Sequence, residues 1–355
     1  MLFTKDWALF NKAWYMKWYL LYIAFALLLS CQQKNCGVEP AIYYWKSQFN
    51  PGAFEKRRLD SLQVQTIYIK FFDLAWNGAT NQASPVAKLF TRDTAYLRSK
   101  KIIPTVFITN EVFYKLDSAG VKLLAKNAGS LLQKYVSLYS LKEVPELQMD
   151  CDWTQSTRDK YFYFLNEIKL QSIAPMLSAT IRLHQVKYTT SSGIPPVDRG
   201  LLMCYNMGNL QKEQTGNSII DPEEFGQYQA SIDTYPIPLD IGLPLFDWYV
   251  LFRDHQYAGL FTSLSADLLG TFQKENDKVY KVVSDTVISD RVLKAGDILK
   301  YENSPVESVN KILFRLNKKL TAKNLRVALY HCDSTILSKY HLHDLENFYS
   351  GLRRY

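Results

Sequence analysis

From about residue 40 onward, short apolar runs alternate with longer segments whose apolar positions recur every three to four residues. Eight of the runs read as strands. They are "AIYYWKS" (41–47), "TIYIKFFDLAW" (66–76), "IIPTVFITNEVF" (102–113) and "ELQMDCDWT" (146–154), followed by "MLSATIRLHQV" (176–186), "GLLMCYNMG" (200–208), "PLDIGLPLFDW" (238–248) and "NLRVALYHCD" (324–333). Amphipathic segments such as "SAGVKLLAKNAGSLLQKYVSLYS" and "STRDKYFYFLNEIKLQS" read as the helices between them. This alternation predicts an α/β fold, a parallel sheet closed as a (β/α)8 TIM barrel over residues 41–355. The chain is longer than such a barrel needs, which leaves room for one insertion. Residues of about 255–305, with "KVYKVVSDTVISDRVLKAGDILKYE", read as a small β-containing excursion between strands seven and eight, over the C-terminal face.

In such a barrel the C-terminal strand ends build the site. Polar residues gather there: Asp73 and Trp76, Asn110 and Glu111, Asp150 and Asp152, Arg182 and His184, Tyr205 and Asn206, Asp247 and Trp248, His331 and Asp333. Any one of them is explained by a cap or a loop. Their recurrence at seven of eight strand ends predicts a functional cleft.

Period-two alternation divides the fourth strand. Gln148, Asp150, Asp152 and Thr154 share one face, and Leu147, Met149, Cys151 and Trp153 share the other. The apolar face packs on helices, so both aspartates are expected to point into the barrel. Residues two apart lie roughly 6.6 Å from each other, near enough for their charges to couple. One of them then holds a proton near neutrality, unless the pair is merely structural. On the fifth strand Ser178, Thr180, Arg182 and His184 form a polar face that needs partners when buried. The aspartates are the natural partners of Arg182. His184 is open to an acid–base, substrate-donor or structural role.

The segment "LQMDCDWT" resembles the D-x-x-D-x-D-x-E motif of glycoside hydrolase family 18, the chitinase-like barrels. Asp150 and Asp152 match the second and third acids, and Trp153 matches the tryptophan before the glutamate. "MCYNMG" is similar to the family's sixth-strand Met-x-Tyr-Asp through Met203 and Tyr205, with Asn206 for the Asp. "LDIGLPLFDW" resembles the seventh-strand segment through Gly242, Pro244 and Phe246. The resemblance implies a substrate-assisted cleavage of N-acetylhexosamine polymers. Asp152 would orient the substrate's acetamide, Tyr205 would hydrogen-bond it, and Asp150 would tune Asp152.

The departures are chemical. Thr154 stands where the family has its proton-donating glutamate, and a threonine hydroxyl does not protonate a glycosidic oxygen at ordinary pH. Leu147 replaces the first acid, and "VALYHCD" puts Tyr330 and His331 where the family carries a tryptophan. Three readings follow: a barrel that binds a glycan without cleaving it, an enzyme with a relocated acid, or a scaffold lipoprotein. Glu111, Asp247 and His184 are the candidate acids, with Glu111 favoured. The refilled cleft leans toward a divergent enzyme, with Asp150, Asp152, Tyr205 and Glu111 catalytic. Asp73, Trp76, Arg182, His184, Asn206, Asp247, Trp248 and His331 would then contact the glycan.

The N-terminus adds an address. "MKWYLLYIAFALLLSC", Met16 to Cys31, has the charged start and short apolar core of an export signal, and "LLLSC" resembles the bacterial lipobox. Residues 1–31 are thus expected to be a signal peptide, with Met16 as an alternative start, and 32–40 a tether from lipidated Cys31. A bacterial-envelope lipoprotein is expected, with the outer membrane favoured over the inner. The other cysteines show no CxxC or metal spacing. Cys151, Cys204 and Cys332 are expected to be buried, and no metal or cofactor is expected. The net charge of +8 is spread along the chain, which argues against nucleic acid. The 14% aromatic content gives a slight pointer to sugar binding.

Overall fold

The computed structural model describes residues 37–288, 291–317 and 325–352. Cys31 and the expected signal segment lie outside the described residues. Eight strands form the barrel: β1 (Val38–Tyr44), β2 (Thr66–Asn77), β3 (Lys101–Ile108), β4 (Glu146–Asp150), β5 (Met176–Arg182), β6 (Arg199–Met203), β7 (Leu239–Pro244) and β8 (Leu325–Tyr330). Each pairs in parallel with the next in sequence, and β8 returns to β1, with Ile42 opposite Leu329 and also opposite Ile67 of β2. β2 overshoots the barrel rim and pairs antiparallel with Gln82–Val86. Strands such as β2 read as nearly continuous apolar runs because both of their faces are covered.

Helices lie between successive barrel strands. Ser118–Leu138 starts where the Asp117 side chain accepts the Gly120 N–H. It buries Val121, Leu124, Ala125, Ala128, Leu132 and Tyr135, a stripe at helical spacing. Among the described residues no helix is long and apolar enough to cross a membrane.

The barrel interior is polar at its base and aromatic above. At the strand starts, Arg326 donates to Glu146 at 2.7 Å and to the Tyr68 hydroxyl at 2.6 Å. Asp240 accepts from Arg199 at 2.8 and 2.9 Å. One layer up, Tyr43 stacks on Tyr68 at 4.7 Å and donates to Gln148. The fourth-strand alternation is therefore observed, with Gln148 and Asp150 inside while Leu147 and Met149 pack among the apolar core.

The insertion is an antiparallel five-stranded sheet between β7 and β8. Its strands are Trp248–Arg253, Gln256–Phe261, Gln273–Lys274, Val279–Lys281 and Ile298–Glu302. Leu251, Phe261, Phe272, Val282, Leu293 and Leu299 give it a core of its own.

Seven of the eight barrel strands end earlier than the apolar pattern suggests, and four of these ends move candidate site residues or mark the insertion. β3 stops at Ile108, and Asn110–Lys115 is a helix that carries Glu111 in its first turn. β4 stops at Asp150, and Thr157 accepts the Thr154 N–H as the chain turns into the helix Arg158–Lys169. β5 stops at Arg182, whose N–H is taken by the Gln185 side chain; Leu183–Lys187 is then helical and carries His184. β7 stops at Pro244, and Trp248 opens the inserted sheet.

Candidate functional site

The C-terminal ends of the strands enclose a cleft of about 380 Å³. Asp150, Asp152, Arg182, Tyr205 and Asn206 line it from β4, β5 and the segment after β6, with Asp247, Trp248 and His331 on the opposite side. It runs on into a second hollow of about 690 Å³. Trp45, Asp247, Thr262, Tyr330, His331 and Ile336 border both, so the two are halves of one groove. Tyr249 and Tyr301 of the inserted sheet wall the second half.

Aromatic rings make the floor. Tyr330 lies 5.7 Å from each of Trp45, Tyr205 and Phe246, and Tyr205 meets Phe246 edge to face. Burial raises the Tyr205 phenol well above its usual range, so it stays protonated as a hydrogen-bond donor.

The acids divide by environment. Asp150 is buried and accepts from Thr180 Oγ1 at 2.6 Å. Burial first, and the charge of Asp152 second, push its pKa up to about 6, against the opposing pull of Thr180 and Arg182. Asp152 is half exposed and is held by Arg182, Nε to Oδ1 and Nη2 to Oδ2, both at 2.5 Å. Its two carboxylate oxygens are thus already engaged by a planar fork. Asp73 is bound by Lys70 at 3.0 and 3.1 Å, and Lys70 lies 5.5 Å from the Trp45 ring.

On the far side of the groove every carboxylate has a cation. Asp247 is paired with Lys339, and Asp333 with Lys46. Burial lowers the pKa of His331 to about 4, which leaves a neutral imidazole between these pairs. Trp248 donates its indole N–H to Glu302 at 3.0 Å, fixing the edge of the inserted sheet.

Several predicted positions are not brought to the groove. Glu111 is exposed on its helix and lines neither half. His184 is exposed on the helix after β5, so it does not continue the inward face of Ser178, Thr180 and Arg182. Trp76 sits opposite Ala83 on the hairpin above the rim. Thr154 is exposed and belongs to a hydroxyl cluster with Ser156 at 2.9 Å and Tyr114 at 3.1 Å, while Asn110 accepts from Thr157 at 2.6 Å. Cys151, Cys204 and Cys332 are free and buried.

Trp45, Phe107 and Lys70 were not singled out from the sequence, yet Trp45 and Phe107 line the cleft. Lys70 had a usable signal, a lone cation inside the apolar run "TIYIKFFDL". A cation there must find a partner on the same strand or across the barrel.

No family model and no curated protein matches the chain. Solved structures share its fold. The spore cortex-lytic enzyme SleL of Bacillus cereus superposes with a TM-score of 0.54 at 12% identity, over 89% of this chain and 74% of that one. A chitinase from Chromobacterium violaceum gives 0.53 at 10% identity, over 89% and 98%. The C-terminal domain of a putative chitinase from Desulfitobacterium hafniense gives 0.54 at 12%, over 88% and 99%. This chain is thus a divergent chitinase-like barrel in fold.

Proposed function

We propose that this protein is an envelope lipoprotein, anchored through Cys31, whose barrel holds a glycan in the upper groove without cleaving it by the chitinase route. The glycan class is drawn from the fold neighbours, a cortex-lytic enzyme and chitinases, and from the retained Asp150, Asp152 and Tyr205. The aromatic floor and the neutral balance of ion pairs suit an uncharged sugar unit with exposed C–H faces.

One observation carries the choice of binding over cleavage: Arg182 occupies both oxygens of Asp152. A carboxylate so engaged is a poor partner for a substrate acetamide. The position two residues on offers a threonine within a hydroxyl cluster rather than an acid. Calorimetry with chito-oligosaccharides and peptidoglycan fragments tests the reading, with the products followed by mass spectrometry. Binding with intact ligand is expected; steady release of shorter glycans would sink it, and no binding to any fragment would remove the glycan as ligand.

A hydrolase with a displaced acid has a single observation in its favour. Asp150, raised to about 6, keeps a proton under mildly acidic conditions. On that reading Asp152→Asn abolishes turnover while the fold is kept. Glu111 and His184 are the weaker candidates because neither faces the groove.

The anchor has a separate test. Cys31→Ser should leave the precursor unprocessed and without incorporated fatty acid, and unchanged processing would refute the anchor.

A further inference from the structure

The end of the barrel opposite the groove holds a second cavity, of about 530 Å³, among the starts of the strands. Arg98, Lys100, Lys101, Lys142 and Arg326 line it. The carboxylates there are Glu39 and Glu143. Two of the cations are spoken for inside the fold. Arg326 is buried against Glu146 and Asp240, and Lys100 is bound to Asp60. Lys101 has only a distant partner, Glu39 at 3.9 Å, and Glu39 is also shared with Arg326. Arg98 and Lys142 are exposed at the rim and take part in no ion pair among the described residues. The barrel therefore presents a cationic rim around a hollow at its N-terminal end, where no sugar chemistry has been assigned.

β1 starts at Val38, at the same end as the cavity. Only seven residue steps separate Cys31 from Val38, a reach of about 25 Å at full extension. Resting on the lipid anchor proposed above, we infer that this cationic end is a membrane-docking surface. It takes the phosphate-bearing headgroups of anionic phospholipids beneath the anchored protein. The short tether keeps the end near the bilayer, where a cation is attracted strongly only within a Debye length of about 8 to 10 Å. Docking in this pose turns the groove, at the other end of the strands, away from the lipid and toward polymers lying outside it. The anchor sets proximity, and the rim sets orientation.

The test uses the full lipidated protein in vesicles of phosphatidylcholine with or without phosphatidylglycerol. In a Cys36→Ser background, single labels are placed at Ser172→Cys near the strand starts and at Gln155→Cys beside the groove; the other described cysteines are buried. Nitroxide on the lipid headgroup is expected to quench the Ser172 label and to spare the Gln155 label, more so with phosphatidylglycerol. Arg98→Gln with Lys142→Gln should weaken the preference for anionic vesicles by about 25-fold, about 5-fold for each cation near the surface. Equal quenching at both labels, or no dependence on anionic lipid, overturns the docking surface. Fatty-acid labelling of the same preparations separates the two proposals. An unlipidated protein that still prefers anionic vesicles through Arg98 and Lys142 would sink the anchor alone. A lipidated protein indifferent to lipid charge would sink the docking surface alone.

Discussion

Arg182 grips Asp152 at the mouth of the barrel through two parallel N–H···O bonds, each 2.5 Å long. The two residues come from neighbouring strand ends, and both line the groove. Because Asp152 is about half exposed, solvent screens the pair and its worth to stability is small, about 1 kcal/mol or less. Its consequence is chemical: it removes a free carboxylate from the groove and leaves a fixed dipole instead.

Arg182→Gln should therefore leave the melting temperature nearly unchanged while altering the site. Arg182 is among the groups that hold the Asp150 pKa down, so its removal should move the Asp150 titration above about 6. Carboxyl-detected NMR titration reads this directly. An unmoved midpoint would show that Arg182 and Asp150 do not share a field.

The same raised pKa predicts a pH-dependent stability. Asp150 binds its proton more tightly folded than unfolded, so stability falls as pH rises from about 4 to about 6 and stays lower above. The rise from the ordinary aspartate value to about 6 corresponds to about 3 kcal/mol. Asp150→Asn keeps an acceptor for Thr180 and carries no charge, so it should stabilise the fold at pH 8 by up to that amount and have little effect at pH 4. Denaturant melts at the two pH values are the check, and equal effects at both would refute the buried ionisation.

Arg326 gives the opposite case. It sits between Glu146 and Asp240, both buried, and near Tyr68. Arg326→Met would leave the buried Glu146 without its cation, while Asp240 keeps Arg199, and should cost about 3 to 5 kcal/mol in urea unfolding. Combining it with Glu146→Gln should recover part of that loss, since the uncompensated charge goes too.

These residues also show what the sequence could and could not disclose. The barrel followed from eight apolar runs and helical segments because burial on two faces dictates composition. The inward face of β4 followed from period-two alternation, and the partnership of Arg182 with the aspartates followed from the need to satisfy a buried cation. The strand ends did not follow. "TNEVF" and "LHQV" continue the apolar alternation by chance, whereas tertiary turns, such as the Gln185 side chain closing on the Arg182 N–H, switch the backbone to helix. That switch is what carried Glu111 and His184 away from the groove. Trp45 was hidden for another reason. Its role depends on which strands become neighbours, and single-strand periodicity contains no such information.

Trp45 borders both halves of the groove and is only partly buried, so its ring is available to a sugar face. Trp45→Ala should weaken glycan affinity by about tenfold, in line with the loss of one well-placed aromatic contact. Far-UV and thermal profiles should stay close to those of the parent, since the ring is not part of the deep core. Calorimetry with the best ligand from the fragment screen decides it; unchanged affinity would place the glycan elsewhere.

If the groove binds without cleaving, cleavage should need two changes together. Among the departures from the chitinase-like pattern, two bear directly on proton donation and acetamide binding: Thr154 in place of a glutamate, and Arg182 on Asp152. A carboxylic acid at position 154 supplies the missing proton donor, a contribution of about 10²–10⁴-fold where geometry permits. It does nothing while Asp152 remains clamped, because the acetamide still lacks its partner. Freeing Asp152 alone leaves no acid. Thr154→Glu and Arg182→Ala are thus expected to be inactive singly and to release N-acetylhexosamine oligomers only in combination. A fluorogenic chito-oligosaccharide assay reads the outcome. Activity in Thr154→Glu alone would mean that the Arg182 clamp yields to substrate, and the binding-only role drawn from it would have to be abandoned.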